Sequence, residues 1–292
     1  LYYVFPMQEE LRKNVIQKFS DTYFAGVTPN RCIDCNRFLK FDALLQKARE
    51  LGAEYIASGH YARIEQDPDT GRYLLKKGLD PSKDQSYVLY SMNQDQLSHT
   101  LFPLGGYTKA EIRRIAQEQG FVNADKPESQ DICFVPDGDY ASFIEEYTGK
   151  HSQPGNFVDQ NGNILGHHKG QIHYTIGQRR GLGISAPESL YVCGKSLKDN
   201  TVILGGKQDL LTDTCYVSDI NLIPWDKMPG PVSCKVKVRY RQPEQPAIAE
   251  QVGEDLLKIT FSQPQRAVTP GQAAVLYDGD TVLGGGTILG EV

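Results

Sequence analysis

The sequence contains no apolar run approaching a membrane span, no stretch resembling a signal peptide, no internal repeat and no low-complexity tract. Within this sequence, these absences weigh against transmembrane helices and repeat architectures. Cysteine is scarce: six in 292 residues, unevenly spaced, too few for a disulfide scaffold. A reducing cytoplasm is the compartment that fits. Positive charge is not in excess either, with 31 Lys and Arg against 36 Asp and Glu, a net charge of −5 and a pI near 5.7. Indiscriminate nucleic-acid binding is therefore disfavoured, but phosphates respond to local patches, so RNA binding stays open. The chain opens on Leu1-Tyr2-Tyr3-Val4-Phe5, which reads as a strand already under way without an initiator Met. The expectation is that a preceding segment is missing.

What is present is ordinary globular composition, 39% apolar and 23% charged, in a length that holds two or three domains. The first third alternates helix and strand. Leu11, Val15, Ile16 and Phe19 recur at helical spacing, as do Phe38, Phe41, Leu44, Leu45 and Ala48, with Gly52 as a stop signal. Glu54 to Ser58 reads as a buried strand ending at Gly59-His60, the carboxyl end where ligands of parallel α/β sheets gather. Gly71 to Leu79 and Ser86 to Tyr90 read as further strands. Thr108 to Glu111 is a capping box opening a helix that stops at Gly120, and Tyr140 to Tyr147 reads as another helix. Past residue 150, short alternating segments replace helical periodicity. Tyr191 to Ser196 and Thr201 to Leu204 flank a hairpin turn, and six later segments between Cys215 and Leu283 predict a small β-barrel.

Cysteine in polar, turn-prone sequence is the feature that carries chemistry. Cys32 and Cys35 follow Thr28-Pro29-Asn30-Arg31, and Cys133 ends the run Ser129-Gln130-Asp131-Ile132, near Lys126. Structural free cysteine prefers apolar interiors. Amides near a helix start stabilise a thiolate, so at least one of Cys32 and Cys35 is expected to be more acidic than free cysteine. The pair reads equally as a redox dithiol, half of a metal site, a nucleophile with a helper, or two plain thiols at a turn. A zinc site lacks its remaining ligands. Cys32, Cys35 and Cys133 together suffice for an iron–sulfur cluster such as [4Fe–4S] with one open iron. Cys193, Cys215 and Cys234 fall in strands and read as small buried hydrophobes.

Basic residues cluster twice. Lys235, Lys237, Arg239 and Arg241 alternate along one predicted strand, presenting four positive groups on one face for phosphate contact or for solubility. His167-His168-Lys169 with Arg179-Arg180 forms a second patch in glycine-rich loops.

In order along the chain, Thr28-Pro29-Asn30, Cys35-Asn36, Lys40-Phe41, Ser58-Gly59-His60-Tyr61-Ala62, Lys83-Asp84-Gln85, Ser129 to Phe134, Gly170 to Gly183, Val238 to Gln242 and Ala267 to Gln272 resemble the motifs of the tRNA-specific 2-thiouridylases (MnmA/TrmU family). The resemblance covers essentially the whole chain. It implies an α/β fold: part of a PP-loop ATPase parallel-sheet domain over 1–138, a central tRNA-binding domain over 139–210 and a C-terminal β-barrel over 211–292. It implies a cytoplasmic, monomeric transferase that uses ATP with Mg2+ to adenylate the C2 oxygen of the wobble uridine of tRNA. Sulfur then passes from a cysteine persulfide to C2, giving 2-thiouridine, AMP and pyrophosphate. By position, Cys133 corresponds to the persulfide carrier and Cys35 to its partner thiol, which either releases sulfide or closes a Cys35–Cys133 disulfide. The sulfur donor would be a cysteine desulfurase or a sulfur relay protein.

The same resemblance places Gly59 against ATP and places Asn30, Arg31 and Cys32 at the target base. It assigns His60, Lys83, Asp84, Gln85, Arg239, Tyr240 and Gln272 to tRNA contact. Two departures bear on this. Cys32 stands where many members have Asp, which opens an iron–sulfur variant or a competing Cys32–Cys35 disulfide. The family's Ser-Gly-Gly-Val-Asp-Ser-type loop, whose amides cradle pyrophosphate, does not occur in the 292 residues. These residues alone are therefore expected to fail at adenylation, and a tRNA-binding chain without catalysis is the alternative.

Overall fold

The computed structural model describes residues 2–124, 133–135 and 138–290. The expected turn over Ser129 to Ile132, and Lys126 beside it, lie outside the described residues. Residues 2–7 form neither helix nor strand, and Tyr2 and Val4 are exposed. The strand expected over Leu1 to Phe5 is thus not found: among the described residues no neighbour pairs with it.

Helix α1 runs through Gln8–Leu11, a π-helical stretch Arg12–Gln17 and Lys18–Phe24. Val15, Phe19 and Tyr23 form its buried stripe. Helix α2 has the same build, Arg31–Asp34, a π stretch Cys35–Ala43 and Leu44–Glu50, and buries Ile33, Phe41 and Leu45. Each fully buried Phe or Leu contributes about 1.5–3 kcal/mol of hydrophobic stabilisation, so these stripes decide how α2 lies. Strands β1 (Ile56–Ala57) and β4 (Thr100–Leu101) pair in parallel, Ile56 opposite Thr100. Strands β2 (Ala62–Gln66) and β3 (Tyr73–Lys77) form an antiparallel hairpin. Between β3 and β4 lies the short helix α3 (Gln94–Ser98).

Ser86–Val88 is a 3-10 turn, where a strand was expected. The Asp84 carboxylate accepts from the Ser86 amide and hydroxyl and curls the chain there, and Tyr87 is drawn inward to the carbonyl of Ala273. Helix α4 (Lys109–Glu118) carries the expected capping box, and Gly120 at φ +67° follows its end.

Helix α5 (Tyr140–Thr148) packs Ala141 and Ile144 against Phe19, Tyr23 and Ile172. Strands β5 (Gly155–Val158), β6 (Ile164–His168), β7 (Tyr191–Ser196) and β8 (Thr201–Gly205) then form a sheet in the order β6-β5-β8-β7. The rest is a closed barrel of β9 (Leu211–Leu222), β10 (Val232–Lys237), β11 (Gln245–Gly253), β12 (Leu256–Arg266), β13 (Ala273–Asp278) and β14 (Thr281–Ile288). The pairing β13-β10-β11-β12-β9-β14 closes through β13–β14. Hairpin β2–β3 docks on this barrel, Lys76 opposite Thr281, and its core is continuous with that of α2 through Leu75, Tyr87, Val275 and Tyr277. The molecule is an α/β unit joined side-on to a β-barrel.

The basic strand reading needs correction. Only Lys235 and Lys237 lie on β10; the strand ends there and Val238 is buried. Lys237 lies over the Tyr240 ring, and Arg239 is turned inward. The four cations do not share a face. In the second patch, His168 is buried and bonded to the Asn200 carbonyl, leaving His167, Lys169, Arg179 and Arg180 outside.

Candidate active site: the cysteine helix and the barrel loop

Asn30 caps helix α2. Its backbone is extended and its Oδ1 accepts from the amide of Cys32 at 3.2 Å, which turns the chain out of Thr28-Pro29 into the helix. Cys32 in the first turn is exposed, Cys35 one turn later is half-buried, and Cys133 is exposed; all three are free thiols. Cys32 and Cys35 share one face of the helix, three residues apart, while Cys133 comes from a separate segment. No three His, Cys, Asp or Glu side chains among the described residues converge as metal ligands. The cluster reading therefore gains no support from the geometry.

Cys35 is not the more acidic thiol that the helix start leads one to expect. Burial pushes its thiol up from the ordinary cysteine value, Lys40 opposes this, and Cys133, Cys32 and Asp34 add to the rise. The physical reason is position: Cys35 lies past the first helical turn, facing protein, where lost hydration outweighs the amides of the helix start.

The turn before α2 is held from the barrel. Gln272 Nε2 donates to the carbonyls of Thr28 (2.9 Å) and Pro29 (3.2 Å), and the amide of Thr28 donates to Pro270 O at 3.1 Å. Gly271, at φ +85°, lets the two backbones meet, since a Cβ there would collide with Val27. Tyr87, fully buried, donates to Ala273 O at 2.9 Å. Arg239 points its Nη2 at Thr269 Oγ1 (2.6 Å), Ile176 O (2.9 Å) and Ala267 O (3.1 Å). It joins the central region to the barrel loop.

The remaining predicted residues divide by exposure. Gly59 is exposed at the end of β1, and an added Cβ would meet only Leu104, at 3.6 Å, so the surface there is open to a ligand. His60 is 7% exposed, bonded through Nδ1 to Ser58 Oγ at 2.7 Å and packed against Phe41 and Phe102. Burial, with Lys40 nearby, pushes its pKa down to about 4. Asp84 Oδ1 accepts from the amides of Gly78 and Ser86, and Gln85 Oε1 accepts from the amide of Tyr61. Asp84 shapes its own turn and Gln85 ties that turn to Tyr61, with Lys83 beside them. Tyr240 is 38% exposed and donates to Asp84 O at 3.1 Å. Arg31 and Cys32 stay at the surface end of α2.

Sequence reading missed the charged frame behind this helix. Lys18 from α1 meets Asp34 at 2.6 Å, and Arg37 meets Asp219 of β9. Burial raises the Asp34 carboxyl while Lys18 pulls it back. These residues, with Asn30 and Tyr90, line a cavity of about 230 Å³ between α1, α2 and the barrel. That is below the roughly 300–1,000 Å³ of pockets that enclose whole small molecules, so it takes a fragment at most. No sequence signal announced the frame, because exposed Lys, Arg and Asp at helical spacing look alike whether paired or solvated.

The fold and site define a protein in which an α/β unit carries a cysteine helix pinned to a β-barrel, and comparison with known proteins places it further. Residues 1–137 match the tRNA methyl transferase HUP domain, 141–206 the tRNA methyl transferase PRC-barrel domain and 212–288 the aminomethyltransferase beta-barrel domain. The tRNA-specific 2-thiouridylase MnmA of Carboxydothermus hydrogenoformans is 48% identical over 287 residues, 98% of this chain and 79% of that protein. Its counterpart in Clostridioides difficile is 47% identical over 98% of this chain and 80% of its own length. MnmA 1 of Caldanaerobacter subterraneus subsp. tengcongensis is 50% identical over 98% and 79%. The chain belongs to the tRNA-specific 2-thiouridylase family. No helix among the described residues is long and apolar enough to cross a membrane.

Proposed function

We propose that this chain acts in thiolation of the wobble uridine of tRNA, with Cys133 as persulfide carrier and Cys35 as its partner. The observation that carries the reading is a half-buried free thiol, Cys35, one turn past the Asn30 cap, with a second free thiol, Cys133, exposed in a polar segment. It gives the chain two thiols that can exchange sulfur next to a polar group able to hydrogen-bond a uracil edge. The domain descriptions speak of methyl transfer, while relatives matched over most of their length are named for thiolation. A thiol pair serves sulfur transfer, which favours the second.

In this reading the wobble base leaves its stack to be reached, and Asn30, Arg31 and Cys32 meet it. ATP with Mg2+, when bound, makes the C2 oxygen a leaving group, and the open surface at Gly59 fits a nucleotide approaching the backbone. The terminal sulfur on Cys133 bonds to C2 as AMP departs. Cys35 then attacks Cys133 Sγ, closing the Cys35–Cys133 disulfide as the Sγ–S bond breaks and frees the thiolated base. In the alternative order Cys35 makes the same attack on the free persulfide, closing the same disulfide and releasing hydrosulfide, which itself adds to C2 as AMP departs. Lys83, Tyr240 and the exposed cations near Arg179 are the side chains placed to meet the RNA backbone. His60, Asp84, Gln85, Arg239 and Gln272 support it from within. The proposed units divide at 138/139 and 210/211. We place the reaction in the cytoplasm, on a monomer, with sulfur from a cysteine desulfurase or relay protein.

The 292 residues contain no pyrophosphate-cradling loop of the Ser-Gly-Gly-Val-Asp-Ser type, so by themselves they are expected to bind tRNA without adenylating it. The test joins them to the glycine-rich segment of a relative, supplies ATP, tRNA and a persulfide donor, and reads 2-thiouridine by mass spectrometry. Product that disappears with Cys133→Ser supports the proposal; undiminished product in that variant overturns it.

A further inference from the structure

Cys32 is the thiol at this site to which the proposed reaction gives no chemical task. It is exposed and lies one helical turn before Cys35 on the same helix. Side chains three apart on a helix have Cβ atoms about 5–6 Å apart, against about 3.5–4.5 Å in a closed disulfide. The difference is small, and the first turn is where it is most easily closed. One side-chain cap, Cys32 N–H to Asn30 Oδ1, holds the backbone there. Cys133, also exposed, comes from a separate segment of the chain. The half-buried Cys35 thus has an exposed thiol one turn away on its own helix, and the proposed reaction brings it a second, Cys133.

We infer that Cys32 is the resolving thiol, attacking Cys35 Sγ in the Cys35–Cys133 disulfide and so freeing Cys133 to accept another sulfur. This rests on the proposal that Cys35 closes on Cys133 after transfer. The Cys32 thiolate forms a bond to Cys35 Sγ, the Cys35–Cys133 bond breaks, and its electron pair leaves on Cys133. One disulfide replaces another, with no net oxidation. A low-molecular-weight thiol or a dithiol protein then reduces Cys32–Cys35 with two electrons and restores both thiols. The direction follows from exposure. Water solvates a thiolate departing from exposed Cys133, whereas expelling Cys35 would strand charge at a half-buried position, and the better leaving thiolate leaves faster.

The test treats the reduced 292-residue chain with a stoichiometric amount of diamide, blocks residual thiols with N-ethylmaleimide and maps disulfides by peptide mass spectrometry. Cys32–Cys35 is expected in roughly tenfold or greater excess over Cys35–Cys133, while the Cys32→Ser chain accumulates Cys35–Cys133. A wild-type chain that keeps Cys35–Cys133 with Cys32 alkylated, or pairs Cys32 elsewhere, overturns the inference and leaves the persulfide reading standing. A Cys32→Ser chain in which Cys133 enters no disulfide overturns the Cys35–Cys133 pairing and the inference with it.

Discussion

The side-chain amide of Gln272 donates to the carbonyl of Thr28, 244 residues away in sequence, at 2.9 Å. A loop between barrel strands thereby sets the entry angle of the helix that carries Cys32 and Cys35. The barrel is part of the thiol site's frame as well as a surface for RNA.

Replacing Gln272 with Ala removes two hydrogen bonds to that turn. The expected loss is about 1–2 kcal/mol, read as a lower urea midpoint, with faster amide exchange at residues 28 to 32. Unchanged exchange there would mean that the Pro270 contact alone holds the turn.

Arg239 discriminates a brace from a phosphate contact. Arg239→Ala leaves three acceptors without their shared donor and is expected to cost about 1–3 kcal/mol of stability. A residue bonded inside the protein should leave the salt dependence of tRNA binding unaltered. A slope lowered by about one unit would instead assign it to a phosphate.

His60 ties stability to pH. Its folded pKa, down to about 4, lies below the unfolded value near 6.5, so the unfolded chain binds the proton more readily. Its contribution is complete above about pH 6.5 and fades as pH falls toward 4, by up to about 3 kcal/mol. His168 and His173 are also held down by burial and act in the same sense. The His60 share is therefore read from urea unfolding at several pH values as the difference between wild type and His60→Gln. Parallel curves would show that His60 does not titrate this way.

Asn30 is both cap and proposed base contact. Asn30→Ala is expected to cost about 1 kcal/mol of stability, and Asn30→Ser should keep most of the cap. If Asn30 reads the uracil edge, both variants lose thiolation while tRNA affinity measured by filter binding stays nearly intact. Equal loss of both would assign Asn30 to general binding.

The local signals in this chain were legible where one segment decides its own conformation. The capping box at Thr108 and Glu111, the stripe through Val15 and Phe19, and the hairpin turn before Asn200 appear as their patterns indicate. They failed where a distant partner wins. Ser86 to Tyr90 has strand-like composition, yet Asp84 and the Ala273 carbonyl turn it into a 3-10 segment. Arg239 continues an alternating basic pattern, yet three oxygen acceptors around it draw the guanidinium inward.

Sequence by itself determined the family, the α/β-then-barrel order and the three polar-context cysteines, because those reside in residue type and short-range spacing. Only the tertiary structure decided that hairpin β2–β3 extends the barrel and that Gln272 and Arg239 serve as internal ties. It alone also set Cys35 as the buried member of its pair. Burial and hydrogen-bond partnership are properties of what packs around a side chain, and here the partners lie up to 244 residues from Gln272 and up to 63 residues from Arg239.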